Sequence, residues 1–454
     1  MPKYTVLAIT TLGALMTSLD STIVYLAVPA MQKYFTAGIA YLTLVIVAYL
    51  ISTTSTMIPS GSLATKFGKK NIYIIGFIIF TLSSLLIAVS PNIISAILFR
   101  AIEGVGAGIM GTVGIPILLA VFPQNEHGRA IGINSIAWSI GALLGPVLGG
   151  ILVTFDWRYI FLINVPIGVT AGTLGYYVIP GDTGNLTTKV SIKNMAGFLS
   201  LIVPLTVGIS FLNYYWLLAS LAMAPFFVLS QRGETLIPTK LLMKRSYIVL
   251  LISTSLQALS FFAVSYALSI YLQSDIGLIP LVTGIVLAAN PIASLVTSPL
   301  SGYLFDRTRR GSEIMLAGLL VQGSSILILA YMIQNISVVY IFAILFVSGI
   351  GGTLFWTSST VLAMNAGGES NRSIASGTIF TLRNIALVIG LTSFPLFIAG
   401  SGGGIASILT FQTDANIFLA VKYYLIAIAL LSYISLGFTF LYRIIERIEN
   451  KQDS

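Results

Sequence analysis

Long apolar runs separated by short polar connections recur along the whole chain. They cover about 5–28, 40–63, 72–90, 93–119, 130–153, 159–179 and 195–213, then 215–230, 247–272, 281–304, 313–333, 337–362, 374–398 and 421–442. A helix that crosses the hydrocarbon core needs roughly 20 apolar residues. The pattern therefore predicts an all-α polytopic membrane protein of 14 transmembrane helices. Composition agrees: 56% of the 454 residues are apolar and 8% are charged, where a soluble domain carries about a quarter. So few charges cannot cover a water-facing surface, which excludes a soluble enzyme.

Charge then orients the spans. The net charge of +9 matches loops that collect Lys and Arg on the cytoplasmic side better than a nucleic-acid surface. With the N-terminus inside, only Lys33, Arg158 and Lys422 of the 23 basic residues fall on predicted outer segments. Arg100 and Arg383 fall within spans. Both termini are expected in the cytoplasm of a cell-membrane protein.

An internal repeat organises the helices. Gly61-Ser-Leu-Ala-Thr-Lys66-Phe-Gly68-Lys69-Lys70 joins spans 2 and 3, and Gly302-Tyr-Leu-Phe-Asp306-Arg307-Thr-Arg309-Arg310-Gly311 joins spans 10 and 11. Gly132 and Gly145 precede Gly377 and Gly390 by 245 residues. The displacement is eight spans, so two six-helix halves, 1–179 and 247–442, flank an inserted pair with its linkers, 180–246; a cytoplasmic tail, 443–454, follows. Parallel six-helix halves are a transporter architecture.

Charges inside lipid are costly and mark function. Asp20 in span 1, Arg100 and Glu103 in span 4 and Arg383 in span 13 are such charges. At 1.5 Å rise per residue, Asp20, Arg100 and Glu103 lie roughly 12, 10 and 15 Å below the outer ends of their helices, a common depth. A purely structural ion pair is the bland alternative, and buried pairs stabilise poorly. Span 5 carries Gly141, Gly145, Pro146, Gly149 and Gly150; the glycines permit close helix contact and the proline bends the helix. Gly106-Ala-Gly108-Ile-Met-Gly111 matches a dinucleotide fingerprint but sits inside an apolar run without a preceding strand, so it reads as helix packing. One histidine, His127, and no cysteine leave no metal cluster. No catalytic set and no nucleotide-binding loop is present. Tyr25, Gln257, Asn290 and Arg383 are candidate cavity residues.

With these residues in place, the chain resembles the major facilitator superfamily, and within it the fourteen-spanner drug–proton antiporters of the QacA/EmrB type. Leu19-Asp20-Ser-Thr22-Ile23-Val24-Tyr25-Leu-Ala27-Val-Pro29 resembles the family's first-span motif, whose Asp is regarded as a proton carrier. Residues 61–70 resemble its gating loop, Leu98-Phe-Arg100-Ala-Ile-Glu103-Gly104 its span-4 motif, and span 5 the motif of antiporters. Trp157-Arg158-Tyr-Ile-Phe161-Leu-Ile-Asn164-Val-Pro166, and Tyr271-Leu-Gln273 with Gly284 and Pro291, are similar to segments of the fourteen-spanner branch. Three positions depart: Thr65 stands for the usual Asp of the gating loop, which its second copy keeps at Asp306; Glu103 stands for Gln; and Asn194 stands for Asp.

The resemblance implies a monomeric multidrug exporter in the lipid bilayer, coupled to protons and using no other cofactor, nucleotide or nucleic acid. Asp20, Arg100 and Glu103 would couple the proton. Gly61, Lys66, Gly68 and Lys69, with Gly302, Asp306, Arg307 and Arg310, would form the gating loops. Substrates would be small amphipathic molecules, cations among them. The rival on the same fold is a proton-coupled symporter of a specific metabolite or peptide.

Overall fold

A computed structural model describes residues 2–123, 126–182, 192–230, 244–308, 310–334, 337–366, 368–403 and 416–452. These residues are helical nearly throughout, because apolar surroundings leave backbone groups no partner outside the helix. The first nine helices are α1 (Pro2–Phe35), α2 (Ile39–Phe67), α3 (Lys69–Ala88), α4 (Ile93–Val121), α5 (His127–Phe155), α6 (Tyr159–Leu162), α7 (Asn164–Val178), α8 (Ile192–Ser210) and α9 (Tyr214–Ser230). Then come α10 (Arg245–Ile270), α11 (Pro280–Leu287), α12 (Ala289–Thr308), α13 (Gly311–Met332), α14 (Val338–Ala366), α15 (Gly368–Ile398) and α16 (Ile417–Gln452). Short π-helical turns, Tyr271–Asp275 and Ala399–Gly403, extend α10 and α15.

Among the described residues, 12 helices are long and apolar enough to cross a membrane. The inserted pair, α8 and α9, is shorter in its apolar stretch, Leu199–Ile209 and Tyr214–Ser230. The run at 281–304, expected as one helix, is divided into α11 and α12 near residue 288.

The chain divides into two compact units. Of the described residues, one holds those up to 230 with 277–285, and the other holds those of 244–276 with 286–403 and 416–452. Similar glycine crossings occur inside each. A Cβ on Gly106 of α4 would lie 2.8 Å from the Gly76 carbonyl and 2.7 Å from the Phe80 amide of α3. In the second unit a Cβ on Gly351 of α14 would meet the Gly318 carbonyl of α13 at 2.5 Å and the Gln322 amide at 2.6 Å. A Cβ on Gly108 would meet the Thr53 carbonyl of α2 at 2.6 Å. The pattern Gly-x-Gly thus serves two neighbouring helices, α2 and α3, at once.

Helices α8 and α9 form a hairpin within the first unit. Ser220 of α9 donates to the Leu201 carbonyl of α8 at 3.0 Å, and the Phe211 ring meets Tyr41 of α2 at 4.9 Å.

Between α2 and α3 the chain turns on one residue, Gly68, at φ +91°. A Cβ there would lie 2.8 Å from the Asp182 carbonyl. The Asp182 carboxylate accepts from the Lys69 and Lys70 amides at 3.0 and 3.3 Å, satisfying donors at the start of α3. Gly68→Ala combines a left-handed backbone with that clash, so it will cost about 1–2 kcal/mol, read as a lower unfolding midpoint in detergent. Asp182→Ala removes only an exposed cap and will cost about 0.3–1 kcal/mol. Equal midpoints for Gly68→Ala and the parent would show that the turn relaxes freely.

Candidate functional site

Five side chains from four helices close a ring in the interior of the first unit. Arg100 of α4 donates through Nη1 to Asp20 Oδ2 of α1 and to Glu103 Oε2, both at 2.6 Å. Asn164 of α7 donates from Nδ2 to Asp20 Oδ1 and to Ser84 Oγ of α3, each at 3.2 Å. Ser84 donates to Glu103 Oε1, closing the circuit. All three charged side chains are 0% exposed. Arg100 also donates from Nε to the Val45 carbonyl of α2 at 3.2 Å. Its guanidinium lies 4.2 Å from the Tyr49 ring and 5.6 Å from the Phe161 ring. Arg100 Nη2 and Asn164 Oδ1 are buried without a hydrogen-bond partner.

The depth argument brought Asp20, Arg100 and Glu103 to one level, and the structure joins them. It also adds two residues. Asn164 had stood only as part of a resembling segment, and Ser84 had no signal assigned. The same arithmetic reaches both, since Ser84 lies roughly 9 Å and Asn164 roughly 8 Å below the outer ends of their spans. The segment 157–166 has a local reason for its pattern. Phe161 and Asn164 are three residues apart on one helical face, which presents the ring and the amide to Arg100 and Asp20.

The second unit builds a neutral counterpart on the repeat-related helices. Gln257 of α10 donates to Gln322 Oε1 of α13 at 3.2 Å, and Gln322 donates to Ser260 Oγ at 3.3 Å. Ser432 of α16 donates to the same Ser260 hydroxyl at 3.3 Å. Lower down, Ser253 bonds with Ser435 and Thr439 at 2.9 and 2.6 Å. Gln257 therefore sits inside this network, and Tyr25 of the first unit is likewise buried. Asn290 of α12 is buried with Oδ1 unpartnered, and Arg383 of α15 lies over the Trp356 ring of α14 at 4.2 Å.

The span-5 glycines press α5 onto backbone. A Cβ on Gly141 would lie 2.6 Å from the Leu15 carbonyl of α1. On Gly145 it would strike the Thr22 hydroxyl and come within 3.2 Å of the Ile23 amide, and on Gly149 it would meet the Ile23 carbonyl at 2.9 Å. A Cβ on Gly150 would lie 2.6 Å from the Pro280 carbonyl, and one on Gly284 would strike the Pro146 carbonyl.

The loop residues are dispersed. A Cβ on Gly61 would lie 3.9 Å from Thr112 Cγ2, and Lys66 lies near the Phe67 ring. Gly302 has open space around it. Arg307 donates to the Tyr303 hydroxyl at 2.9 Å, and Arg310 pairs with Glu313 at 3.5 Å. The Asp306 side chain lies outside the described residues. At the same end Glu313 accepts from Arg443 at 2.6 Å.

The family model of the Major Facilitator Superfamily matches residues 10–247 and 250–454. The riboflavin transporter RibZ of Clostridioides difficile (strain 630) is 29% identical over 406 residues, covering 88% of this chain and 89% of its own. MdtD of Salmonella paratyphi B, named for multidrug resistance, is 36% identical over 201 residues, 44% of this chain and 42% of its own. A crystal structure of a mutant of the nucleoside transporter NupG superposes with a TM-score of 0.67 at 13% identity, covering 98% of this chain and 100% of its own. At that identity NupG supports the fold alone.

Proposed function

Because the chain belongs to the Major Facilitator Superfamily, and is a multi-pass transporter, we propose that it is a proton-coupled exporter of amphipathic compounds working by alternating access, of the fourteen-spanner branch and with α8 and α9 completing the count. The buried ring carries the proposal. It sets two carboxylates against one guanidinium, so one bound proton brings its charge to zero. A charge that reaches zero on binding a proton is a switch that a membrane interior can hold in two states. Asp20, linked to α4 through Arg100 and to α7 through Asn164, changes its bonds to two helices when it gains a proton. Ser84 and Asn164 supply a hydrogen-bonded route between the acids that does not pass through Arg100.

The test is substrate-induced proton release in proteoliposomes, with a compound found by a growth-inhibition panel in a pump-deleted host. Asp20→Asn will abolish proton-driven export of every substrate, whereas Glu103→Gln will retain coupled export at a reduced rate. Coupling that survives Asp20→Asn and is lost in Glu103→Gln would assign the proton to the other acid.

A second reading, a carrier of one metabolite, is favoured by the longer alignment to the riboflavin transporter, 88% of this chain against 44% for MdtD. Silence across the growth panel, together with riboflavin transport in the same vesicles, would decide for it.

A further inference from the structure

Within the first unit, an apolar groove of about 390 Å³ runs between α3 and α7. Its α3 wall holds Ile74, Ile78 and Leu82, spaced four apart on one helical face, and its α7 wall includes Val169 and Tyr176. Ile78, Leu82, Val169 and Tyr176 are exposed, so the groove opens to the surroundings of the two helices. Its floor has a cause in the sequence. At Gly168 a Cβ would strike the Thr81 hydroxyl, so the helices touch there. At Gly172 it would lie 3.4 Å from Phe77 Cβ, an ordinary contact, so that glycine leaves room for a side chain that the sequence does not supply.

The same face of α3 continues to Lys70, one turn before Ile74. Lys70 Nζ lies 5.4 Å from the Tyr176 ring centroid, which puts an ammonium at the end of the groove where α3 begins. Asp182 spends its carboxylate on the Lys69 and Lys70 amides, so the turn sets Lys66, Lys69 and Lys70 against Asp182 and is cationic on balance. Tyr176 and Tyr177, both exposed and edge to face at 5.3 Å, are the side chains that settle at headgroup level. From Lys70 to Leu82 the helix rises about 18 Å, against about 15 Å for half of a hydrocarbon core about 30 Å thick. Groove and mouth together therefore span one leaflet, apolar along the acyl region and cationic at the headgroups.

We propose that this groove binds one anionic phospholipid, with an acyl chain along Ile74, Ile78 and Leu82 over the Gly172 floor and the phosphate at Lys70 and the Tyr176 hydroxyl. Charge decides the class of lipid. A zwitterionic headgroup brings a cation of its own beside Lys70, whereas a net-negative one is drawn to lysines at the membrane surface. Shape decides that the lipid is held, because a concave apolar wall buries a chain that a flat helix surface only touches. The site rests on α3 and α7 standing in a bilayer, and neither on proton coupling nor on the compound transported.

The chain has no cysteine, so Thr170→Cys places a single bimane label on an exposed position of α7 beside Val169. With the labelled full-length protein in vesicles, quenching by phosphatidylglycerol and by phosphatidylcholine carrying the same brominated chains gives their relative affinity next to the groove. Phosphatidylglycerol will be favoured about tenfold, and Lys70→Gln will reduce this to about twofold, one lysine near the surface being worth about a factor of five. Lys70→Arg will keep the preference. Gly172→Leu, which fills the groove and leaves Lys70 in place, will reduce it to about threefold or less, and Val169→Trp carries this arm if the Leu variant fails to fold. Equal quenching by the two lipids in the parent overturns the proposal, as does a preference unmoved by Lys70→Gln or unmoved by the filling variant. Displacement of the brominated phosphatidylglycerol by soluble glycerol 1-phosphate would make the mouth a site for free anions and overturn the lipid. Loss of proton release with the lipid preference intact would instead overturn proton coupling and leave the groove standing.

Discussion

Arg100→Gln will unfold at a markedly lower temperature and lose transport, while the triple variant Arg100→Gln, Asp20→Asn, Glu103→Gln will recover most of the unfolding midpoint and none of the coupling. The reason lies in the asymmetry of buried charge. Removing one partner of a buried pair costs about 3–5 kcal/mol, because the remaining charge is left without compensation, whereas replacing the whole set by neutral groups can be nearly free. Here one guanidinium serves two carboxylates at 2.6 Å each, so its loss strands both. In the triple variant the amides rebuild a neutral ring with Ser84 and Asn164. Its midpoint separates the two roles of the cluster: holding helices together, which amides can do, and carrying a proton, which they cannot. A single variant that melts with the parent would remove the cluster from any structural role.

Gly145→Ala will impair export and be rescued by Thr22→Ala, but Gly141→Ala will not be rescued by Ser18→Ala. At Gly145 the nearest obstacle to a methyl group is the Thr22 hydroxyl, which a second substitution removes, leaving the Thr22 Cβ at 3.0 Å. At Gly141 it is the Leu15 carbonyl at 2.6 Å, and backbone cannot be trimmed. Crowding of this kind typically costs about 1–3 kcal/mol. It will be read as initial transport rates at matched expression, beside unfolding midpoints. Rescue at both sites would mean that α1 and α5 separate easily, and rescue at neither would mean that the Thr22 Cβ and the Ile23 amide, 3.0 and 3.2 Å from the added methyl, set the limit. Pro146→Ala with Gly145→Ala tests the bend itself, and normal export by that pair would make α5 a scaffold.

How much of this was legible beforehand depends on what the sequence encodes locally. Helix existence was legible because apolar runs have a length scale set by the bilayer, and the repeat was legible because glycines recur at a fixed displacement. Depth alone put Asp20 and Arg100 at one level, since depth is nearly linear in residue number within a helix. Rotation about the helix axis is not linear in that way without a neighbour to refer to. Ser84 and Asn164 therefore stayed hidden, being uncharged residues with no cost in lipid large enough to draw notice. Gln257 shows the same limit in reverse: its polarity suggested a cavity, and Gln322, on a helix 65 residues away in sequence, turned it into the packing. The break near residue 288 left no mark in hydropathy because both pieces are apolar.

The hairpin of α8 and α9 has a consequence for ancestry. A hairpin returns the chain to the side it left, whatever depth its tip reaches. Everything downstream then keeps its direction, so a gene could gain or shed such a module in one step without inverting the second repeat. A lone inserted helix would have turned six others upside down. Attachment chiefly to α2 among the other elements of the first unit, through contacts such as Tyr41–Phe211, leaves few side chains to be reinvented when it goes.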